Sequence, residues 1–173
     1  MSSLCISAFC FLFILTSTVS NAQTARPGSH SGRNAHPELL WASGGLGFMG
    51  EGAALVGRLT YAWDYSLISA QTSYSAPLSF GGGSGGTDVA EFGLYYGRMK
   101  YSEGTIGKVS AGLTYLYGSY DYGKHIRTLG LGLNAEIIFK ISPVGIGLLG
   151  SVLISPKYIG AGVTLNLHLG KLD

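Results

Sequence analysis

Hydrophobic and polar residues alternate with a period of two from Trp41 to the end of the chain. The clearest example is the segment 127–139, where most odd positions are apolar and most even positions are small or polar. Such alternation is typical of β-strands with two different faces. It predicts eight strands of about ten residues, the length that a tilted strand needs to cross a membrane. The predicted strands are 41–50, 53–63, 66–74, 89–100, 108–117, 127–139, 144–154 and 158–169.

The volume of the apolar face decides which face points inward. A soluble lipocalin-like barrel and a transmembrane barrel both alternate, but the lumen of eight strands only accommodates side chains or one small ligand. The many Leu, Ile, Val, Phe, Tyr and Trp residues of the apolar face do not fit there, whereas the Gly, Ser, Thr and Asn of the other face do. We therefore expect the apolar face to contact lipid and the small polar face to fill the lumen.

The lengths of the connections predict the topology. Only Asp64-Tyr65 joins the second and third strands, whereas 75–88 and 118–126 are long. Outer-membrane barrels have short periplasmic turns and longer external loops. The sequence thus predicts an all-β, eight-stranded antiparallel up-and-down transmembrane β-barrel with a narrow, side-chain-filled lumen, periplasmic termini, and external loops 75–88 and 118–126.

The N-terminal segment has the features of a secretory signal peptide. Residues 4–15 form an apolar run too short for a membrane helix, and Ser20-Asn21-Ala22 supplies small residues for cleavage. We predict a signal peptide at 1–22, a flexible periplasmic lead-in at 23–37 and the barrel at 38–173. Both cysteines, Cys5 and Cys10, fall within the predicted signal peptide. The mature protein would then have no disulfide, no Cys metal site and no Cys nucleophile.

Composition agrees with a membrane location and argues against nucleic acid as a partner. Charged residues make up 12% of the chain, compared with about 25% in soluble domains. The net charge is +2 and the basic residues are scattered along the chain. A nucleic-acid-binding protein would concentrate them on one face.

Two sets of residues are candidate sites in the barrel. Arg58, Glu91 and Glu136 have inward parity, and a buried charge needs a partner, so we predict a lumen ion pair of Arg58 with Glu91 or Glu136. Aromatic residues near strand ends predict the two girdles that flank the lipid-facing band of such barrels. The predicted girdle residues are Trp41, Tyr61 and Trp63 at the periplasmic interface and Tyr74, Tyr115 and Tyr158 at the external one.

The sequence contains no strong catalytic motif. His168 with Ser110 or Ser151 and Glu136 is a possible hydrolytic set, but His168 and Glu136 lie near the periplasmic ends of their strands, away from the external leaflet. The chain also lacks the His-x-Ser motif expected of a lipid A deacylase. The segment GGGSGG at 81–86 lacks the Gly-Lys-Ser/Thr ending of a phosphate-binding loop. We expect no enzymatic activity, no cofactor and no metal site.

The sequence SNAQ at the cleavage site, the glycine-rich alternating strands and the closing YIGAGVTLNLHLGKLD resemble the small outer-membrane β-barrel proteins of Bacteroidota. The resemblance covers about residues 38–173 and implies a fold and an outer-membrane location. One departure is the end Gly170-Lys171-Leu172-Asp173, where such barrels commonly finish on an aromatic residue.

Three functions remain open at this point. The first is a structural or surface-interaction barrel acting through its external loops, and the second is a lipid-modifying enzyme. The third is a soluble secreted lipocalin-like barrel. For the first, the expected partners are outer-membrane lipid and the barrel-assembly machinery, with an external partner that the sequence does not identify, and the protein is expected to be a monomer.

Overall fold

The structure is a computed structural model that describes residues 38–50, 52–77, 88–120, 124–141, 144–170 and 172. The predicted signal peptide and lead-in lie outside these residues. The described part of the chain forms eight β-strands. They are β1 (Leu39–Met49), β2 (Gly52–Trp63), β3 (Ser66–Pro77), β4 (Asp88–Ser102), β5 (Thr105–Tyr120), β6 (Lys124–Ile141), β7 (Val144–Ile154) and β8 (Ile159–Gly170).

The eight strands form one closed antiparallel barrel in sequence order, with β8 paired to β1. The predicted fold class is therefore confirmed. Closure pairs the backbone N–H and C=O groups of each strand with its two neighbours, which is the condition for placing strands in a medium without water. Among the described residues, no helix is both long and apolar enough to cross a membrane.

The short turns lie where the sequence predicted them. Asp64-Tyr65 separates β2 from β3, and Asp64 has a φ of 51°. Asp tolerates this left-handed conformation better than most residues, because its short polar side chain can hydrogen-bond locally. We call this end of the barrel the Asp64 end. The opposite end, where Gly50 joins β1 to β2, is the Gly50 end.

The two long loops are shorter than predicted. Strands β5 and β6 continue pairing to Tyr120 and Lys124, so the proposed loop 118–126 is wrong and only 121–123 connects them. Residues 124–130 of β6 pair with β5 alone, because β7 begins to pair with β6 at Leu131. Strand residues also occupy both ends of the proposed loop 75–88, whose central part 78–87 lies outside the described residues.

Large apolar side chains cover the outer wall of the barrel. They alternate with inward residues along each strand, so the wall shows a continuous band of exposed hydrophobic groups. In water such a surface would be an aggregation or interaction site. Exposed members of the band include Leu46, Leu55, Leu59, Ile68, Phe92, Leu94, Leu113, Leu129, Leu131, Leu165 and Leu167.

Side chains fill the lumen in three layers. An apolar cluster occupies each end, and charged and amide side chains lie between the two. The Asp64-end cluster consists of Leu39, Trp41, Ala62, Leu67, Met99, Ile106, Ile138 and Leu172. The Gly50-end cluster consists of Met49, Ala54, Val89, Leu116, Ile126 and Leu153. The sequence analysis expected small polar residues and a few charges inside and did not predict these clusters. Four members, Leu39, Ile106, Ile126 and Leu172, lie outside the predicted strands, and the others are apolar residues at inward positions near the strand ends.

Candidate functional site

The Glu136 carboxylate is the centre of the polar middle layer. Its Oε2 lies 2.9 Å from Arg58 Nη1 and 2.6 Å from Lys108 Nζ. Its Oε1 accepts a hydrogen bond from Asn166 Nδ2 at 2.8 Å and lies 2.9 Å from His168 Nε2. All of these side chains are buried. One carboxylate on β6 thus joins groups from β2, β5 and β8 inside the lumen.

Gln71 fixes the orientation of Arg58 within this layer. Arg58 Nε donates to Gln71 Oε1 at 3.0 Å, and Arg58 Nη2 donates to the same oxygen. Asn134 Nδ2 also donates to Gln71 Oε1, at 3.2 Å. Because the guanidinium is planar and its donors are rigidly arranged, holding one edge on Gln71 directs Nη1 towards Glu136. We call Arg58, Gln71, Lys108, Asn134, Glu136, Asn166 and His168 the Glu136 network.

Of the three residues predicted to form the lumen ion pair, the structure brings two together. Arg58 contacts Glu136, while Glu91 is bound elsewhere: its Oε2 accepts from Ser73 Oγ at 2.7 Å, and its Oε1 accepts from Tyr95. Strand parity placed all three side chains inside, but it contains no information on their positions along the barrel axis. The stagger between neighbouring strands sets these axial positions, and so it decides which carboxylate Arg58 meets.

Lys108 is the charged residue that the sequence analysis missed. It lies at the first position of the predicted fifth strand and shares the parity of Ser110, so parity alone could have placed it in the lumen. Its side chain is buried, and its Nζ lies 5.5 Å from the centroid of the Trp41 ring. The middle layer therefore has two cations next to Glu136 and not one.

The predicted girdle divides into residues on the outer wall and residues inside. Tyr61, Tyr74 and Tyr115 are exposed on the wall, and the Tyr61 and Trp63 rings stack at a centroid distance of 5.7 Å.

Trp41 and Tyr158 correct the girdle prediction. Trp41 is only 1% exposed and belongs to the Asp64-end cluster, while Tyr158 is half-buried and packs against the Gly50-end cluster. The prediction used closeness to a strand end and neglected parity, which is inward at Trp41. The glycine-rich sequence of β1 shows no clear apolar face that would have revealed this.

A glycine on β6 makes room for Tyr95, which extends across the lumen. A Cβ at Gly132 would lie 2.7 Å from Cε1 and Cζ of the Tyr95 ring. The ring is buried and its hydroxyl is held by Glu91, so it has little freedom to move away.

We therefore expect Gly132→Val to destabilise the barrel by about 1–3 kcal/mol through overpacking. The check is the temperature at which the folded band disappears on an unboiled gel. Gly107→Val is the matched control, because a Cβ at Gly107 meets nothing within 4 Å. Equal losses for the two variants would contradict a role for Gly132 in seating Tyr95.

The residues considered for hydrolysis do not assemble in the described structure. His168 Nε2 faces Glu136, and no described serine hydrogen-bonds to the His168 ring. His168 pairs with Gly145 on β7, six residues from Ser151, which corresponds to about 20 Å along a strand. Within the described ranges, no group of three or more His, Cys, Asp or Glu side chains is arranged to hold a metal ion.

Comparison with known proteins identifies the fold. No family model matches the chain, and no curated protein matches it. Among solved structures, the N-terminal β-barrel domain of Pseudomonas aeruginosa OprF is similar, with a TM-score of 0.63 at 9% identity, covering 77% of this chain and 97% of that one.

Two further barrels are similar at lower TM-scores. Neisserial surface protein A has a TM-score of 0.53 at 11% identity, covering 80% of this chain and 100% of that one. The outer-membrane enzyme PagL has a TM-score of 0.51 at 13% identity, covering 75% and 98%. At these identities the likeness concerns the barrel architecture alone.

Proposed function

We propose that this protein is an integral β-barrel of the outer membrane without enzymatic activity. It acts through the surface formed by the strand ends and connections at its Gly50 end. The observation that supports this most directly is the inverted polarity of the barrel. Large apolar side chains such as Leu59 and Leu165 are exposed outside, and charged side chains such as Arg58 and Glu136 are buried inside. A soluble barrel would have the opposite arrangement, because its surface must be hydrated.

The filled lumen supports a role other than transport or catalysis. An apolar cluster lies at each end; between them Arg58 and Lys108 pair with Glu136, and Glu91 accepts hydrogen bonds from two neutral side chains. His168 is fully buried on Glu136, so a lipid substrate outside the barrel has no contact with the ring. These features favour a barrel that serves as a rigid membrane scaffold.

The β5–β6 hairpin supports an interaction role at the Gly50 end. Residues 124–130 extend past the pairing of β7 and have β5 as their only partner strand. This segment presents exposed His125 and Arg127, and the Arg127 guanidinium lies 5.2 Å from the centroid of the Tyr117 ring. Together with the connection 78–87, the hairpin would form the surface that a partner outside the cell contacts.

Epitope tags test location and topology together. A tag inserted between residues 82 and 83 should bind antibody on intact cells, whereas a tag between 142 and 143 should bind only after permeabilisation. Both proteins should fractionate with the outer membrane and need detergent for extraction. Recovery of the untagged protein from soluble periplasm, or the reverse pattern of tag access, would contradict the proposal.

A separate comparison tests the enzymatic alternative. Cells expressing the wild-type protein and cells expressing the Ser110→Ala, Ser151→Ala double variant should have the same outer-membrane lipid profile. A lipid species that is present only with the wild-type protein would show that the barrel modifies lipid.

A further inference from the structure

Residues 124–130 of β6 form an open strand edge at the Gly50 end. They pair with β5 on one side, whereas β7 begins to pair with β6 only at Leu131. Among the described residues, no backbone hydrogen bond outside the strand ladders reaches this segment. An open edge is a template for another strand, because it carries unpaired backbone N–H and C=O groups. We call the side of residues 124–130 that faces away from β5 the β6 edge.

One hydrogen bond at the other end of β6 shows which backbone groups face this edge. Lys140 N–H donates to Gly104 O at 2.8 Å, towards β5, and β5 and β6 pair residue by residue along their whole length. Successive residues of a strand direct their N–H and C=O groups to opposite neighbours. The even residues of β6 therefore bond to β5, and the odd residues present their backbone groups to the β6 edge. These odd residues are His125, Arg127 and Leu129.

The side chains of the same three residues are exposed on the outer face. Leu129 pairs with Tyr115, a predicted girdle residue at the external interface, and Arg127 pairs with Tyr117. The Arg127 guanidinium lies against the Tyr117 ring, 5.2 Å from its centroid. The β6 edge thus begins near the expected membrane interface and continues away from it, where a protein partner has access.

The β7–β8 turn lies at the membrane-proximal end of the β6 edge and adds a positive charge. Ser155 Oγ accepts hydrogen bonds from the backbone N–H groups of Lys157 at 3.3 Å and Tyr158 at 2.9 Å, which hold the turn. A Cβ on Gly130 would lie 3.1 Å from Ser155 Cβ, so the turn is directly beside the start of the edge. Lys157 is exposed. Asp88, a described acidic residue at this end, lies on β4, on the far side of β5.

We propose that the β6 edge binds an extended, acidic segment of a protein outside the cell, which adds to β6 as an antiparallel strand. The proposal rests on the proposed function and names the chemistry of its external partner. Main-chain hydrogen bonds to the odd residues supply affinity, and side chains on the same face supply specificity. Carboxylates opposite His125 and Arg127 complement the cationic side chains. A second copy of this chain fits less well, because two β6 edges would bring like charges together.

Binding of a synthetic peptide to the full chain in detergent tests the proposal. The labelled peptide Leu-Thr-Glu-Val-Glu-Thr, aligned antiparallel, places its Leu opposite Leu129 and its two Glu opposite Arg127 and His125. Fluorescence anisotropy should show saturable binding. N-methylation of the two Glu residues removes two peptide donors that face the edge, and it should weaken binding about tenfold, because each hydrogen bond contributes about 1 kcal/mol. Replacing both Glu with Lys should weaken it by a similar factor.

Variants of the protein separate the contribution of the edge from that of charge. Leu129→Pro removes an N–H that faces the edge and leaves the donors to β5 in place, so it should weaken binding of the acidic peptide. Arg127→Glu should weaken it as well and should favour the Lys peptide. Arg98→Glu is the matched control, because Arg98 is exposed at the Asp64 end, and it should leave binding unchanged.

Hydrogen exchange locates the bound peptide. Exchange of the amide protons of His125, Arg127 and Leu129 should slow when the peptide binds. Equal binding of the N-methylated peptide, or no binding of the acidic peptide, would overturn the proposal. Oligomers in detergent that Leu129→Pro dissociates would assign the edge to a second copy instead. The assay does not depend on orientation in the cell, so reversed tag access would refute the proposed function alone, and failed peptide binding would refute only the edge proposal.

Discussion

Replacing Glu136 with Gln is expected to destabilise the barrel by about 3–5 kcal/mol, the usual result of removing one partner from a buried ion pair. The substitution keeps the size of the side chain but leaves Arg58 and Lys108 without a counter-charge, since both contact Glu136 Oε2. Arg58→Ala should cost less, because Lys108 still neutralises Glu136. Urea unfolding in detergent, followed by intrinsic fluorescence, measures these free energies of unfolding.

Two further variants isolate the effect of charge. Glu91→Gln should cost about 1–3 kcal/mol, because Glu91 receives only hydrogen bonds from the neutral donors Ser73 and Tyr95. Adding Lys108→Met to Glu136→Gln should recover part of the loss, since it removes one of the two unpaired cations. Equal losses for the Glu91 and Glu136 variants, or no recovery in the double variant, would refute the central role of Glu136.

Leu59→Arg is expected to destabilise the membrane-inserted barrel by about 2–4 kcal/mol, the cost of an arginine facing lipid near mid-membrane. Leu59 is 53% exposed on the outer wall and lies within β2, away from both strand ends. Its neighbour Arg58 already shows that an arginine is tolerated one position away, where the side chain points inward to Glu136. At this depth in the membrane, the expected cost therefore depends on which face of the strand carries the arginine.

Ile141→Arg is the matched control for this substitution. Ile141 is 56% exposed but is the last residue of β6, where an arginine near the interface should cost only about 0–1 kcal/mol. Unfolding of both variants in lipid vesicles would give the difference. If the barrel were water-soluble, both substitutions would be nearly neutral, and that result would contradict the membrane assignment.

The alternation in the sequence determined the fold class, the number of strands and most inward and outward assignments. It succeeds because successive side chains of a strand point to opposite faces, so the identity of each residue reports directly on lipid or lumen. Arg58 and Glu136 could be placed inside for this reason. The same argument applies to Lys108, because it is the first residue of the predicted fifth strand and shares the inward parity of Ser110.

Only the tertiary structure decided which inward residues meet. Arg58 and Glu136 are 78 residues apart, and their contact depends on the stagger of every strand pair between β2 and β6. A period of two is unchanged by sliding a strand two residues along its neighbour, so alternation cannot fix that stagger. The extension of β6 beyond β7 and the approach of Lys108 to the Trp41 ring depend on the same registers. The sequence therefore determined the wall of the barrel, and the register of the closed sheet determined the contacts inside it.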